Sequence, residues 1–304
     1  MKRSTMYFCM TSVSFIFILW KIFEISSALE NTNQAIIINK NIDLLSKRFI
    51  KSVTIYCVTP TYWRYVQKAE LVRVYQTLTL ASFKVDIKWI VVEDSEHKTD
   101  LVSNLLKRID NEGAHFQYVH LNAKTPPFQK LKGKDPRWKK HRGVEQRNAA
   151  LKWIRDNVSS HGTKKIVYFM DDDNTYDVKL FEELTKIENV GVWPVGLVGG
   201  LNIETPILDP KTGKVASYKS GWKPDRPFAI DMAGFGINVD LILSNPEAVF
   251  SYRMEKGFQE SQFLAYFTTK DQLEPLASNC TEVYVWHTRT EKPDVKGIVP
   301  GYEV

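Results

Sequence analysis

The chain reads as an α/β protein with a largely parallel sheet, and three observations predict it. Short apolar runs rich in β-branched and aromatic residues recur between residues 52 and 200. Stretches with apolar positions at helical spacing separate them, and strands alternating with helices point to a parallel sheet. Three of the runs end in polar groups: Pro60-Thr61-Tyr62, Glu93-Asp94 and Asp171-Asp172-Asp173. In a parallel sheet those ends line one rim, where open α/β folds take their ligands.

In chain order, Val53 to Val58 reads as the first strand, broken by Thr59-Pro60-Thr61. Val66, Ala69, Val72, Leu78 and Leu80 mark a helix, and Val85 to Val92 a second strand ending in Glu93-Asp94. Leu101, Leu105, Leu106 and Ile109 predict the next helix, and Phe116 to Leu121 a third strand. A basic loop from Lys124 to Arg142 follows, in which Lys and Arg mix with Pro and Gly. Gly143 marks the start of a helix over Val144 to Asn157, with Ala149, Leu151 and Ile154 on its buried face. The strand Lys165 to Met170 runs into the carboxylate triplet, and a helix is expected over Leu180 to Ile187. After Gly199-Gly200, residues 201–236 are rich in Pro, Gly, Lys and turns, and regular alternation is lost. A helix over Glu260 to Phe267 and a last strand over Glu282 to His287 complete the pattern.

The amino-terminal residues predict the compartment. Lys2 and Arg3 precede an apolar stretch from Met6 to Trp20, extended by Ile22 and Phe23. Positive charge on the short flank places that flank in the cytosol and the rest of the chain on the far side of a membrane. The stretch is short beside the roughly 20 residues a spanning helix takes. A cleaved signal peptide is the competing reading, because Ser26-Ser27-Ala28 offers small residues for cleavage. The organisation expected is a cytosolic tail at 1–5, a single-pass signal anchor at 6–23, a stem at 24–50, a nucleotide-binding half at 51–200 and a less regular half at 201–304. Asn157-Val158-Ser159 and Asn279-Cys280-Thr281 are candidate glycosylation sequons, at Asn157 and Asn279.

Several function classes are disfavoured. The formal charge of +6 is concentrated in the 124–142 stretch, which suits a loop beside an anionic ligand better than a helix laid along nucleic acid. Three cysteines make no disulfide framework, and no Cys/His cluster has zinc spacing. Neither GxGxxG nor GxxxxGK[ST] occurs, so dinucleotide and P-loop chemistry are disfavoured. Three adjacent carboxylates repel unless a cation or hydrogen-bond donors offset them. A hard divalent ion bridging carboxylate to substrate phosphate would do so. A tyrosine ring that can stack on a base and a carboxylate that can accept its N–H add up to a nucleoside-diphosphate site.

The stretches VTPTYWRYVQKAELVR, WIVVEDSE, HRGVEQRNAALKW, VYFMDDDNTY, VWPVGLVGGL, RPFAIDMAGFGINV, GFQES and VWHTRTEKP resemble the β-1,3-glucuronosyltransferases, in order from about 52 to 293. The resemblance implies the GT-A glycosyltransferase fold, with a UDP-sugar and metal-binding half at 51–200 and an acceptor-binding half at 201–304. It implies an inverting Golgi enzyme that moves glucuronate from UDP-glucuronate to the 3-OH of a terminal galactose. It implies a Mn²⁺ ion held by Asp173, type II membrane topology with a luminal catalytic part, and a homodimer.

By position, the same resemblance assigns Tyr62 to stack on uracil, Pro60 and Thr61 to shape its turn, and Asp94 to hold a uracil N–H. It assigns Asp171 and Asp172 to ribose and donor sugar, Arg142 and Arg147 to the donor, and His287 and Arg289 to the diphosphate and glucuronate. Glu204, Trp222, Arg226 and Asp231 match acceptor-contacting positions, and Glu260 matches the catalytic base. The start of a helix at Glu260 is expected to lower its pKa and keep it ionised. Trp63, Gln262-Phe263 and the closing Gly301-Tyr302-Glu303-Val304 depart from the family pattern. The acceptor, proteoglycan Gal-Gal-Xyl or an N-acetyllactosamine-type end, therefore stays open. The rival readings are an inactive sugar-binding relative and a polyanion-binding protein using the basic loop.

Overall fold

The structure, a computed structural model, describes residues 21, 53–112, 114–132, 135, 139–288, 290 and 293–294. The chain divides into one unit at residues 1–50 and a second at 51–304. The expected anchor and stem fall in the first unit, of which only Lys21 is described, and the closing tail and Arg289 also lie outside the described residues. No helix among the described residues is long and apolar enough to cross a membrane.

The second unit is built on a seven-stranded sheet. Strands β1 (Val53–Thr61), β2 (Asp86–Glu93), β3 (Gln117–Asn122) and β4 (Lys164–Phe169) run parallel. The sheet extends past β4 through β10 (Phe235–Asn238), β6 (Val190–Val192) and β11 (Glu274–Pro275), in the order β11-β6-β10-β4-β1-β2-β3. β10 is antiparallel to both of its neighbours. A second sheet has the order β5-β12-β7-β8-β9, from Thr175–Tyr176, Val285–Trp286, Val195–Gly196, Ile203–Leu208 and Val215–Lys219.

Period-2 side-chain alternation explains why the parallel strands are apolar throughout: both faces of the sheet are covered. Ile55, Cys57, Trp89, Val91, Ile166 and Tyr168 pack on one face with α1 (Gln67–Ala81) and α2 (Asp100–Asn111). Tyr56, Val58, Ile90, Val92, Val167 and Phe169 pack on the other with α3 (Val144–Asn157). That second core also takes in α5 (Val239–Ser244) and α6 (Gln259–Leu264), while α4 (Lys179–Leu184) belongs to the first.

The α/β class and the parallel strands match expectation, and α3 begins and ends at the residues expected. Three local readings need correction. The break at Thr59-Pro60-Thr61 does not occur, because β1 continues to Thr61. Val58 O still accepts from Met170 N on the β4 side, while Thr61 O accepts from Asp94 N on the β2 side. Alternation therefore turns Pro60 toward the β4 side, where register pairing has ended at Val58–Phe169. A missing N–H costs nothing there.

The stretch 201–236 holds the β8–β9 hairpin. Its turn is closed by the Asp209 carboxylate, which accepts from the N–H groups of Lys211 and Thr212. The expected strand over Glu282 to His287 shortens to Val285–Trp286. Ahead of it, Ala277, Ser278, Asn279 and Cys280 form a left-handed turn, with φ of 51°, 54°, 57° and 60°.

Candidate active site

The carboxyl ends of β1, β2 and β4 meet at one rim, as their parallel register requires. Tyr62 follows β1 and stays exposed, while Thr61 beneath it is buried. Asp94 follows β2, and its carboxylate accepts from Thr125 N at 2.7 Å and lies 3.3 Å from Lys130 Nζ. The basic loop thus folds back over the Asp94 end of the rim. The carboxylate next to it, Glu93, is buried and fastens the loop after β2, accepting from Thr99 N and Thr99 Oγ1 and meeting His120 Nε2 at 2.6 Å.

The triplet after β4 divides into three environments. Asp171 Oδ1 accepts from Arg147 at 2.7 Å. That arginine reaches it from the first turn of α3, because Gly143 (φ 70°) caps the helix without a side chain. A Cβ at 143 would collide with the Arg147 guanidinium, which also donates to the Arg142 carbonyl. Asp172 is buried and uses both oxygens within the protein: Oδ2 accepts from Thr61 Oγ1 at 2.6 Å, and Oδ1 pairs with Arg64 at 2.7 Å. Burial pushes its carboxyl up to about 6, against the pull of Arg64 and Thr61. Asp173 differs again, since its carboxylate has no paired side chain among the described residues. Its backbone carbonyl accepts from Arg73 at 3.2 Å and from Thr288 Oγ1 at 2.7 Å.

Thr288 brings the end of β12 against the triplet. A cleft of about 580 Å³ opens there, lined by Leu197, Gly199, Gly200, His287 and Thr288. His287 Nδ1 lies 3.3 Å from Asp231 Oδ2, close enough for charge attraction without an aligned hydrogen bond. The Asp231 carboxylate raises the His287 pKa despite burial. Burial is the largest single influence on Asp231 and pushes it upward, but His287, the Ala233 N–H and Arg147 together hold it below the ordinary carboxylate range.

Two further carboxylates lie within the field of Asp231. Glu260 lies in the first turn of α6, which is fastened to β4 by an aromatic cluster. Phe263 stacks on Phe250 with centroids 4.2 Å apart and meets Phe169 edge-on at 5.7 Å. Such pairs contribute roughly 0.5–1.5 kcal/mol each beyond area burial. The helix start was expected to lower the pKa of Glu260; instead burial, with the charge of Asp231, pushes it up to about 7. A helix terminus is worth at most about 1 kcal/mol at an ordinary site, less than one unit, and α6 is only six residues long. Burial wins.

Glu204, from β8, is likewise pushed up to about 7 by burial, although Ser220 donates to it and Arg226 lies 3.8 Å away. Trp222 presents an exposed indole beside the Cα of Gly257, where any Cβ would collide with the ring. Arg226 donates to the Gly257 carbonyl, and Lys223 pairs with Glu255. The tryptophan loop and the approach to Glu260 are therefore zipped together.

Of the expected residues, Arg142 is exposed beside the rim and Arg289 lies outside the described residues. Asn157 and Asn279 are both exposed, the first donating to the Trp153 carbonyl and the second in the left-handed turn. Sequence reasoning missed Arg64, Arg73, Gly257 and Thr288. Only Arg64, two residues beyond Tyr62, carried a signal, a cation next to the polar strand end at Pro60 to Tyr62.

A rim that can seat a base and a diphosphate, facing a wall with an aromatic plate and a carboxylate of pKa near neutrality, is what a nucleotide-sugar glycosyltransferase requires. The chain belongs to glycosyltransferase family 43, which it matches over residues 74–291. It is 54% identical over 241 residues to galactosylgalactosylxylosylprotein 3-beta-glucuronosyltransferase I of Drosophila melanogaster, covering 79% of this chain and 76% of that protein. It is 48% identical to the sqv-8 enzyme of the same name from Caenorhabditis elegans, covering 84% of this chain and 69% of that protein. Against the human galactosylgalactosylxylosylprotein 3-beta-glucuronosyltransferase 3 the identity is 47%, covering 80% and 72%. A solved mannosyltransferase from Pyrobaculum calidifontis aligns over 73% of this chain and 55% of its own, at 13% identity and a TM-score of 0.38, too low to carry an argument.

Proposed function

We propose that the chain transfers glucuronate from UDP-glucuronate to the 3-OH of the terminal galactose of the Gal-Gal-Xyl proteoglycan linkage, with inversion to the β-glycoside. The observation that carries this reading is a continuous run of neighbours from one wall to the other. Asp173 is tied to Thr288, His287 follows it and faces Asp231, and Asp231 acts electrostatically on Glu260. On this reading the groups for the leaving diphosphate and the group for the acceptor hydroxyl are neighbours, with His287 on the cleft between them. Three relatives named for this reaction, at 47–54% identity, support the donor and acceptor classes.

On this reading Trp222 and Arg226 hold the acceptor galactose, and Glu260 takes the proton from its O3. The oxygen attacks the anomeric carbon from the face opposite UDP, the bond to the β-phosphate breaks, and that phosphate leaves with the electron pair. Arg147 and His287 offset the charge that develops on it. A carboxylate with a pKa near 7 is a stronger base than one near 4 and is still ionised in a useful fraction at neutral pH.

The residues fit a divalent cation at Asp173, the one member of the triplet left unpaired among the described residues. Among them no three His, Cys, Asp or Glu side chains are placed to hold a metal ion together. A hard ion held there would take its other ligands from the diphosphate and water, and Mn²⁺ so bound would add charge stabilisation to the departing UDP. On the same reading residues 6–23 anchor the chain in the Golgi membrane as a type II protein, and two copies associate.

The test is a matrix of UDP-sugars against galactosides with the purified full chain and linkage analysis of the products. UDP-glucuronate with Gal-Gal-Xyl should give the β-1,3 product. Equal kcat/KM for UDP-glucose, or transfer confined to N-acetyllactosamine ends, would overturn the donor or the acceptor assignment respectively.

A further inference from the structure

Arg64 sits where four interactions converge. Its guanidinium lies over the Tyr62 ring, 4.5 Å from the centroid. One nitrogen donates to the Tyr62 carbonyl at 3.0 Å. Another pairs with Asp172 Oδ1 at 2.7 Å and with Glu70, which is buried in the first turn of α1. From the opposite side Thr61 Oγ1 donates to Asp172 Oδ2, and Gln67 Nε2 donates to Thr61 Oγ1 at 3.0 Å. The result is a closed polar ring linking the end of β1, the start of α1 and the middle carboxylate of the triplet.

Two consequences follow from that geometry. Tyr62 is about half exposed, at 48%, yet one of its two faces is covered by a fixed cation, so only the other can receive a planar ligand. Both oxygens of Asp172 are engaged within the protein, so Arg64 and Thr61 fix where that carboxylate stands. A planar fork can meet ring, carbonyl and carboxylate together, which a lysine ammonium cannot.

We propose that Arg64 is a positioning residue for the donor base: it closes one face of Tyr62 and ties the stacking ring to the buried Asp172, so that base platform and metal-side carboxylates hold a fixed spacing. This deepens the nucleotide-sugar reading above and rests on it. The chemistry served is recognition of a pyrimidine nucleoside diphosphate. Arg64 meets Tyr62, Asp172 and Glu70 and not the carboxylate of Asp173, so its loss falls on the nucleoside part first.

The experiment is calorimetric titration of the full chain with UDP and, separately, with inorganic pyrophosphate, both in Mn²⁺. The proteins are the parent and the Arg64→Met, Arg64→Lys, Tyr62→Ala and Tyr62→Ala/Arg64→Met variants. Arg64→Met should weaken UDP by roughly fivefold, in line with loss of a part-exposed cation–π contact, and leave pyrophosphate unchanged. Arg64→Lys keeps the charge beside Asp172, so it folds even where Arg64→Met does not, and it should show the same selective loss. In the Tyr62→Ala background, Arg64→Met should add little further loss, because the two residues act as one platform. Equal weakening of UDP and pyrophosphate, full additivity with Tyr62→Ala, or parent-like UDP affinity in Arg64→Lys would overturn the proposal. Failure of the parent itself to bind UDP would instead overturn the nucleotide-sugar reading, so the two failures are distinguishable.

Discussion

The strand-end rim and the wall around Glu204 and Glu260 handle negative charge in opposite ways. On the rim three carboxylates meet a cation at short range: Asp94 with Lys130, Asp171 with Arg147, Asp172 with Arg64. On the wall Glu204 is buried and Glu260 half-buried, both within the field of Asp231, and among the described residues the cation paired with Glu204, Arg226, stands off at 3.8 Å. Pairing makes a rigid, charge-balanced seat for an anion. Withholding the pair lets burial raise basicity, which a group that must accept a proton needs. Asp172 shows that pairing alone does not decide the outcome, for its burial outweighs Arg64 and still leaves it near 6.

The sharpest way to break this contrast is Asp173→Ala, which removes the one carboxylate of the triplet left unpaired among the described residues. We expect metal-dependent UDP binding and activity to vanish while the thermal transition is retained. Full turnover of the variant in chelator would show that the rim balances its charge without a cation.

Glu260→Gln comes next and probes the wall. General-base help is worth about 10² to 10⁴ in rate, so kcat should fall by at least about two orders of magnitude with UDP affinity unchanged. If that variant turns over normally while Asp231→Asn is dead, the paired carboxylate of the wall is the base and the contrast drawn above is wrong.

A smaller effect follows from titration. Glu260 must be ionised to act, so kcat/KM should rise from about pH 6 to about pH 8, through its pKa of about 7. Stability runs the other way. A carboxyl whose folded pKa lies above its unfolded value stabilises fully below the unfolded pKa, about 4.5, and loses that stabilisation as pH rises through about 7. Glu260→Gln should therefore melt a few degrees above the parent at pH 8, with the gap closing by pH 5 in a thermal scan. A pH-independent gap would mean that packing, and not charge, sets it.

The mildest test is Gly257→Ala. The new methyl would displace the Trp222 indole, and the φ of 78° disfavours any side chain. Acceptor KM should rise severalfold while UDP affinity and kcat change little, and in a Trp222→Ala background the acceptor effect should disappear. A change in UDP affinity would show that wall and rim are not separable.

The rim was largely legible in the sequence and the wall was not. Strand-end polarity, the Gly143 start and the Asp171 to Asp173 triplet are local signals, and parallel register alone brings them together. Pro60 misled because its missing N–H is harmless only where β4 has already ended, which is a tertiary fact. The β8–β9 hairpin hid among prolines and glycines because its turn depends on the Asp209 side chain more than on strand patterning. The pKa of Glu260 could not be read from its helix position, since burial by residues far along the chain reverses the local effect. Arg64 stood two residues from a recognised motif, yet its partners Glu70 and Asp172 are visible only after folding.

The left-handed turn at Ala277 to Cys280 marks where this protein has stability in reserve. Four consecutive non-glycine residues hold positive φ, a conformation that costs roughly 1–2 kcal/mol per residue. Ala277 and Cys280 are buried and fill space in the core, but Ser278 and Asn279 face solvent. A glycine at 278 would keep the turn, lose no buried contact and relieve one unit of that strain. Raising the melting temperature of the whole catalytic unit through Ser278→Gly would thus need no change to the cleft, which makes the turn a natural first site for an engineer seeking a hardier enzyme.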